Sequence, residues 1–257
     1  MKIQFETHLD FYENDIKNLI SPIPIKKNLP DWYVNFTVPE IPKKSEDYLF
    51  DSFIKKRKII KNCMPVADYL QSGYMIPAWE DMFFYKDSDG ILKLRTTIDS
   101  YLPPEQRDSN HSYHNVKQFY DFSKTNIFSE YYGERNIVKD ENFNIIKLLN
   151  PWSIITPPGY STLFMRPFYH DQKINILPAI VDTDSFNSKI NFPFFLNINI
   201  EETYRISLGD PLIMIFPFKR DSWKSDIKFN AIQKPDGFTT KINNYYKNFI
   251  RKIKKYD

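Results

Sequence analysis

Apolar residues between Ile145 and Phe218 come in short runs, each ended by Pro, Gly, Asn or Asp. Runs of that kind read as strands, and their spacing fits a sandwich or barrel better than a parallel α/β sheet. Strands are expected over 145–149, 152–156, 160–166, 174–182, 190–199, 203–207 and 212–217, so the main core lies in this half. Upstream, Lys86-Asp87-Ser88-Asp89-Gly90 separates the aromatic run 74–85 from a returning strand over 91–98. Asp-Gly between two such runs is a hairpin signal, because it supplies the positive φ of a tight turn.

Helical spacing occurs in three places. Residues 29–36 form one short helix, with Asn28 as its cap, Pro30 in the first turn and Trp32, Tyr33 and Phe36 on its apolar side. Residues 65–72 place Val66, Tyr69 and Leu70 three and four apart, and Gly73 is the left-handed stop. Near the end, Ile242, Tyr245, Tyr246, Phe249, Ile250 and Ile253 recur at helical intervals among lysines and arginine, which predicts an amphipathic helix over 239–256 with a basic outer face. Pro22, Pro24, Pro30, Pro39 and Pro42 make 19–45 an otherwise extended arm. Lys58–Cys63 reads as a strand and 103–110 as a polar loop. The organisation expected is one composite domain over 1–257: arm and short helix 1–60, hairpin and loop region 61–144, β core 145–223 and terminal helix 239–256.

With 257 residues, 42% of them hydrophobic, the chain can bury a sizeable core. Trp32, Trp79 and Trp152, each in an apolar or proline-set segment, are expected to anchor it. The longest apolar runs, such as Pro211 to Phe218, fall far short of the roughly 20 residues of a membrane-spanning helix. Charges interrupt MKIQFETHLDFYENDIKNL where an export signal needs an apolar stretch. The single cysteine, Cys63, precludes an intrachain disulfide or a cysteine-based zinc cluster and reads as a small buried hydrophobe. A cytoplasmic setting is expected. Thirty-five basic residues against 32 acidic ones, net +3, are too balanced to argue nucleic-acid binding from bulk charge. Lys55-Lys56-Arg57-Lys58 and the terminal helix could touch phosphates, but such runs are more often solvated faces.

The densest polar constellation in the β half is Asp182-Thr183-Asp184, after the apolar Leu177 to Val181. Two acids two residues apart at a strand end point to one face. They could share a proton or bind a cation, or they could cap the following turn through backbone N–H groups. His111-x-x-His114 and His170-Asp171 lack the spacing of a metal site, and Asp87-Ser88-Asp89-Gly90 lacks the downstream glutamate of a calcium loop. No metal ligand set is assigned.

Three segments resemble the trimeric dUTPase and dCTP-deaminase group, in the same order. Thr156-Pro157-Pro158-Gly159-Tyr160 is similar to its Pro-Pro-Gly turn, Ala179 to Asp184 to its Gly-Val-Ile-Asp-x-Asp strand, and Ser207-Leu208-Gly209-Asp210-Pro211 with Phe216 to its closing Gly-Asp-Arg strand. The resemblance implies a mainly β fold of jelly-roll or β-clip antiparallel sheets. It would make Asp182, beside Asp184, the water-activating carboxylate, with Arg166 and Tyr160 as ligand contacts and a magnesium ion on phosphate. The chain departs from the pattern at Pro167, which replaces the phosphate-binding serine, at Ser185, which replaces a tyrosine, and at Pro211, which replaces an arginine. A longer resemblance, over Ile25 to Tyr33, Lys61 to Pro65 with Gly73 to Pro77, Thr156 to Phe164, Pro178 to Asp184 and Pro217 to Trp223, is to a family of uncharacterised proteins of marine tailed phages and some bacteria, which implies a bacterial or phage-infected cell as the setting, with a place in a virion compatible.

Because every enzyme-like constellation lacks a partner its mechanism requires, the expectation is a non-catalytic binding or assembly protein without a cofactor. Its aromatic content of 17% can serve a protein partner or self-association as well as the core. The alternative is a dUTPase-like nucleotide hydrolase using Asp182; a third is a nucleic-acid-associated module using the terminal helix.

Overall fold

A computed structural model describes residues 2–37, 60–107 and 145–227, apart from 87, 89–91, 187, 197 and 200, together with residue 229. The described residues fall into two compact units, one drawn from Met1–Asn28 and Gly73–Arg220, the other from Leu29–Ser72 and Asp221–Asp257. The protein is mainly β, and among the described residues every strand pair is antiparallel.

Among the described residues the first unit carries all the strands: β1 (Gln4–Glu6), β2 (Ile23–Pro24), β3 (Tyr74–Pro77), β4 (Met82–Lys86), β5 (Leu92–Thr96), β6 (Ile145–Leu148), β7 (Ser153–Ile155), β8 (Tyr160–Met165), β9 (Asn175–Ile176), β10 (Ala179–Val181), β11 (Phe192–Phe195), β12 (Thr203–Ile206) and β13 (Pro211–Lys219). They form a five-stranded sheet in the order β10-β8-β13-β3-β2, two three-stranded sheets, β6-β11-β9 and β12-β4-β5, and the pair β1-β7. Leu212, Ile213, Met214 and Ile215 of β13 are all fully buried, so this central strand is covered on both faces and reads as an unbroken apolar run. β4 and β11 instead alternate buried and half-buried residues, the signature of a strand with one face in the core. Phe192 and Phe194 of β11 join the sheets: Phe192 lies 5.3 Å from Phe164 of β8, and Phe194 meets Phe84 of β4 edge-on at 5.6 Å.

The predicted strands of the β half are observed, with one interruption. The single strand expected over 174–182 is broken at Leu177-Pro178 into β9 and β10, which belong to different sheets; proline has no N–H to continue a ladder. The hairpin is present, with Lys86 opposite Leu92. Upstream of it, residues 74–85 divide at Ala78 to Asp81 into β3 and β4, again in different sheets. The loop expected over 103–110 contains a short helix, Pro104–Arg107, with proline at the first helical position. The N-terminal segment also contains a helix, Asn14–Ile20, which buries Ile16 and Ile20, the i,i+4 pair that one helical face requires.

In the second unit the helix Met64–Gln71 buries Ala67, Asp68 and Leu70, within one residue of its predicted limits. Gly73 follows at φ 75°, the expected left-handed stop. The helix predicted over 29–36 is Asp31–Asn35, with Pro30 rather than Asn28 at its N-cap. Asn28 instead closes a preceding 3-10 turn, its N–H donating to Ile25 O at 2.9 Å. Lys61 Nζ donates to Val34 O and Phe36 O at 3.0 and 3.1 Å, a cation on the last carbonyls of that helix. Within the predicted strand 58–63, Ile60–Asn62 form a 3-10 turn, because the chain is already winding into the helix at Met64.

Two burial expectations are corrected. Trp79 and Trp152 are buried at 1% and 7% exposure, but Trp32 is 39% exposed, since a helix of barely more than one turn buries none of its residues. Cys63 is exposed rather than buried. His111, His114, Lys55 to Lys58 and the terminal helix over 239–256 lie outside the described residues.

Candidate functional site

Asp182 and Asp184 lie just after β10, on the end of the five-stranded sheet where β8 begins and β13 ends. Antiparallel register sets Val181 of β10 opposite Thr162 of β8, and Lys219 of β13 opposite Tyr160. The entry to β8 is a tight turn in which Tyr160 N–H donates to Pro157 O at 3.3 Å and Gly159 adopts φ 84°, the combination of a type II turn with proline second and glycine third.

Arg220 closes this end. Its guanidinium forks onto Asp184, Nη1 donating to Oδ1 at 2.9 Å and Nη2 to Oδ2. Asp184 Oδ2 also accepts the Gly159 N–H at 2.8 Å. The same Nη1 reaches Tyr160 O at 3.1 Å, Ser161 Oγ at 3.2 Å and Asp182 Oδ1 at 3.1 Å, while the Arg220 backbone N–H donates to Gly159 O at 2.8 Å. Bidentate charge-assisted pairs are the strong and directional ones. The Arg220 fork first, then the Gly159 N–H, hold the Asp184 carboxyl at about 2, and Asp184 in turn holds Arg220 above its ordinary range. The Asp184 side chain is 8% exposed; that of Asp182 is 60% exposed. Asp182 Oδ1 accepts the Ser161 hydroxyl at 2.6 Å, and its backbone carbonyl accepts the N–H groups of Ser185 and Phe186 at 3.1 and 2.9 Å.

Thr183, between the two acids, points inward with no exposure. Its Oγ1 lies 2.7 Å from Thr156 Oγ1 and 2.8 Å from Thr162 Oγ1, and Thr156 Oγ1 donates to Tyr160 O at 3.4 Å. Each hydroxyl has one proton, so that terminal carbonyl fixes the direction of the relay: Thr162 donates to Thr183, Thr183 to Thr156, and Thr156 to Tyr160 O. Residues 183–185 form a turn beyond β10, and in it Thr183 faces inward while its two neighbours meet Arg220.

The structure thus brings together Asp182, Asp184 and the backbone of Tyr160, and leaves Arg166 apart. Arg166 is at the other end of β8, about 17 Å from Ser161 at ~3.4 Å per residue. There it donates to Asn175 Oδ1 and lies 5.0 Å from the Phe168 ring. The Gly209-Asp210 turn is also remote, at the start of β13, whose length sets it about 30 Å from Arg220. There Asp210 Oδ2 accepts the Ser207 N–H at 2.8 Å. Nearby Asp81 is desolvated, which raises its pKa, but the Leu208 N–H and Arg205 outweigh that and hold it below its usual range. Arg220 has no role in the sequence reading. Its position after an apolar run marks only the end of a strand, and nothing local identifies its partner 36 residues earlier. Among the described residues no group of three or more His, Cys, Asp or Glu is placed to hold a metal, and no helix is long and apolar enough to cross a membrane.

No protein-family model and no curated relative matches the chain. Solved structures similar to it are phage dUTPases. A mutant dUTPase from phage phi11 of S. aureus, described for its coordination of a structural Mg(II) ion, is 11% identical, covers 92% of this chain and 99% of its own, and has a TM-score of 0.32. The dUTPase of Staphylococcus bacteriophage 80alpha, as a mutant with dUpNHpp, is 10% identical over 91% of this chain and 92% of its own, with a TM-score of 0.30. Phage dUTPases belong to the group whose motifs residues 156–211 resemble, and scores this low extend that resemblance to neither topology nor activity.

Proposed function

We propose that this protein is a non-catalytic binding or assembly module, acting on a protein partner or on a second copy of itself, and that Asp182 and Asp184 serve its architecture. The observation that carries this reading is the Arg220 guanidinium held against both carboxylates. A pair of acids working as base and metal ligand needs a water or cation between them; here a cation of the same chain stands there. Arg166, the residue that a hydrolase would use on phosphate, is at the far end of β8, engaged with Asn175.

The test is pyrophosphate release from dUTP and from dCTP by the purified protein with magnesium. No release above the protein-free rate is expected, and Asp182→Asn should behave like the parent. Magnesium-dependent release that disappears in Asp182→Asn would establish the hydrolase instead.

A further inference from the structure

The outward face of the β12-β4-β5 sheet bears a pattern that the Asp184 clamp does not use. Met82 and Phe84 of β4 point into the core, so Phe83 and Tyr85 point out. Register places Arg205 of β12 and Arg95 of β5 on either side of Phe83, and Thr203 and Lys93 on either side of Tyr85. The six outward positions therefore hold two aromatic rings, three cations and a hydroxyl, with no acid among them. Neighbouring strands lie about 4.8 Å apart, so each cation stands beside a ring. Arg205 lies 5.4 Å from the Phe83 ring and pairs with Asp81 at 3.2 Å. Phe83, Tyr85, Lys86, Arg95 and Thr203 line an open groove of about 400 Å³.

We infer that this face binds single-stranded nucleic acid, its bases stacked on Phe83 and Tyr85 and its phosphates on Arg95 and Arg205. Aromatic rings on a strand flanked by cations suit such a ligand, because every base offers a π-face and every linkage a negative charge. The ring spacing selects single strands over duplex. Residues two apart on a strand stand about 7 Å apart, twice the roughly 3.4 Å between stacked bases, so bases on both rings must be parted from each other. The near-neutral net charge of +3 is no obstacle, because Arg95, Arg205 and Lys93 stand at neighbouring outward positions of one sheet. The site is separate from the Asp182-Asp184 end, so its test stands or falls independently of the pyrophosphate assay.

Fluorescence anisotropy of a labelled short oligothymidylate with the full chain at low salt tests the inference, beside the same strand annealed to oligoadenylate. Saturable binding of the single strand, tighter than of the duplex, is expected. Phe83→Ala and Tyr85→Ala should each weaken it about tenfold, the scale of one lost base stack, and Tyr85→Phe should keep it. Arg95→Glu should weaken binding and flatten its salt dependence by about one phosphate contact. Melting temperatures of the variants, expected to stay near that of the parent, separate loss of the site from loss of the fold. Three results would overturn the inference: no binding of the single strand at low salt, duplex bound as tightly as single strand, or unchanged affinity in a folded Tyr85→Ala. Thymidine monophosphate competing at the same concentration as the oligomer would also overturn it, by making the groove a mononucleotide site.

Discussion

At the scale of single residues, Asp184 shows how a carboxylate flagged for chemistry becomes a structural joint. Its carboxyl sits near 2 against an ordinary value of 3.8, chiefly through Arg220 and the Gly159 N–H. A folded-state pKa below the unfolded one means the ionised form favours folding. That contribution is complete above the ordinary value and is lost as pH falls toward 2. The stability gap between the parent and Asp184→Asn should therefore be widest near neutral pH and close across this window, as read from urea midpoints at a series of pH values. A gap of constant size down to the lowest pH would show that the Arg220 pair contributes nothing through charge. Strand alternation would turn Asp182 and Asp184 to one face, but β10 ends at Val181 and residues 183–185 form a turn, so it is the turn and Arg220 that bring the two carboxylates together. Arg220 was not legible in the sequence, because its partnership depends on β8, β10 and β13 ending side by side.

At the scale of elements, the turns separate two kinds of glycine. Gly159 has φ 84° with nothing within 4 Å of where a Cβ would sit, whereas a Cβ on Gly73, at φ 75°, would lie 2.2 Å from Ile215 O. Gly159→Ala should cost about 1–2 kcal/mol, the left-handed penalty alone. Gly73→Ala should cost clearly more, since β3 must part from β13 to admit the methyl group. Denaturation midpoints of the two variants decide it, and equal losses would contradict the close approach. The strand pattern of the β half was readable because apolar alternation and turn residues are local signals. The break at Leu177-Pro178 and the division of residues 74–85 were not, because the sheet a strand joins is settled by distant partners. The 3-10 turn at Ile60–Asn62 was not readable for a local reason: apolar residues in so short a stretch suit either a strand or the approach to a helix.

For the whole molecule, burial separates the tryptophans that local composition treats alike. Trp79 is enclosed in the main core at 1% exposure, while Trp32 is 39% exposed. Trp79→Ala should cost about 3–5 kcal/mol, and Trp32→Ala should stay within about 0.5 kcal/mol. Similar losses in thermal or chemical unfolding would show that Trp32 is as well packed as Trp79. The aromatic and cationic residues of β4, β5 and β12 make the complementary case. In the sequence, Phe83 and Tyr85 belong to an apolar run and Arg95 and Arg205 are isolated charges more than a hundred residues apart. By itself the sequence determined the mainly β class, the hairpin and the helix ended by Gly73, since each follows from side-chain period and backbone preference over a few residues. Only the tertiary structure decided that Arg220 holds those two acids, that Arg166 stands apart from them, and that rings and cations meet on one sheet face, because strand order and register bring together residues whose separation along the chain carries no signal of contact.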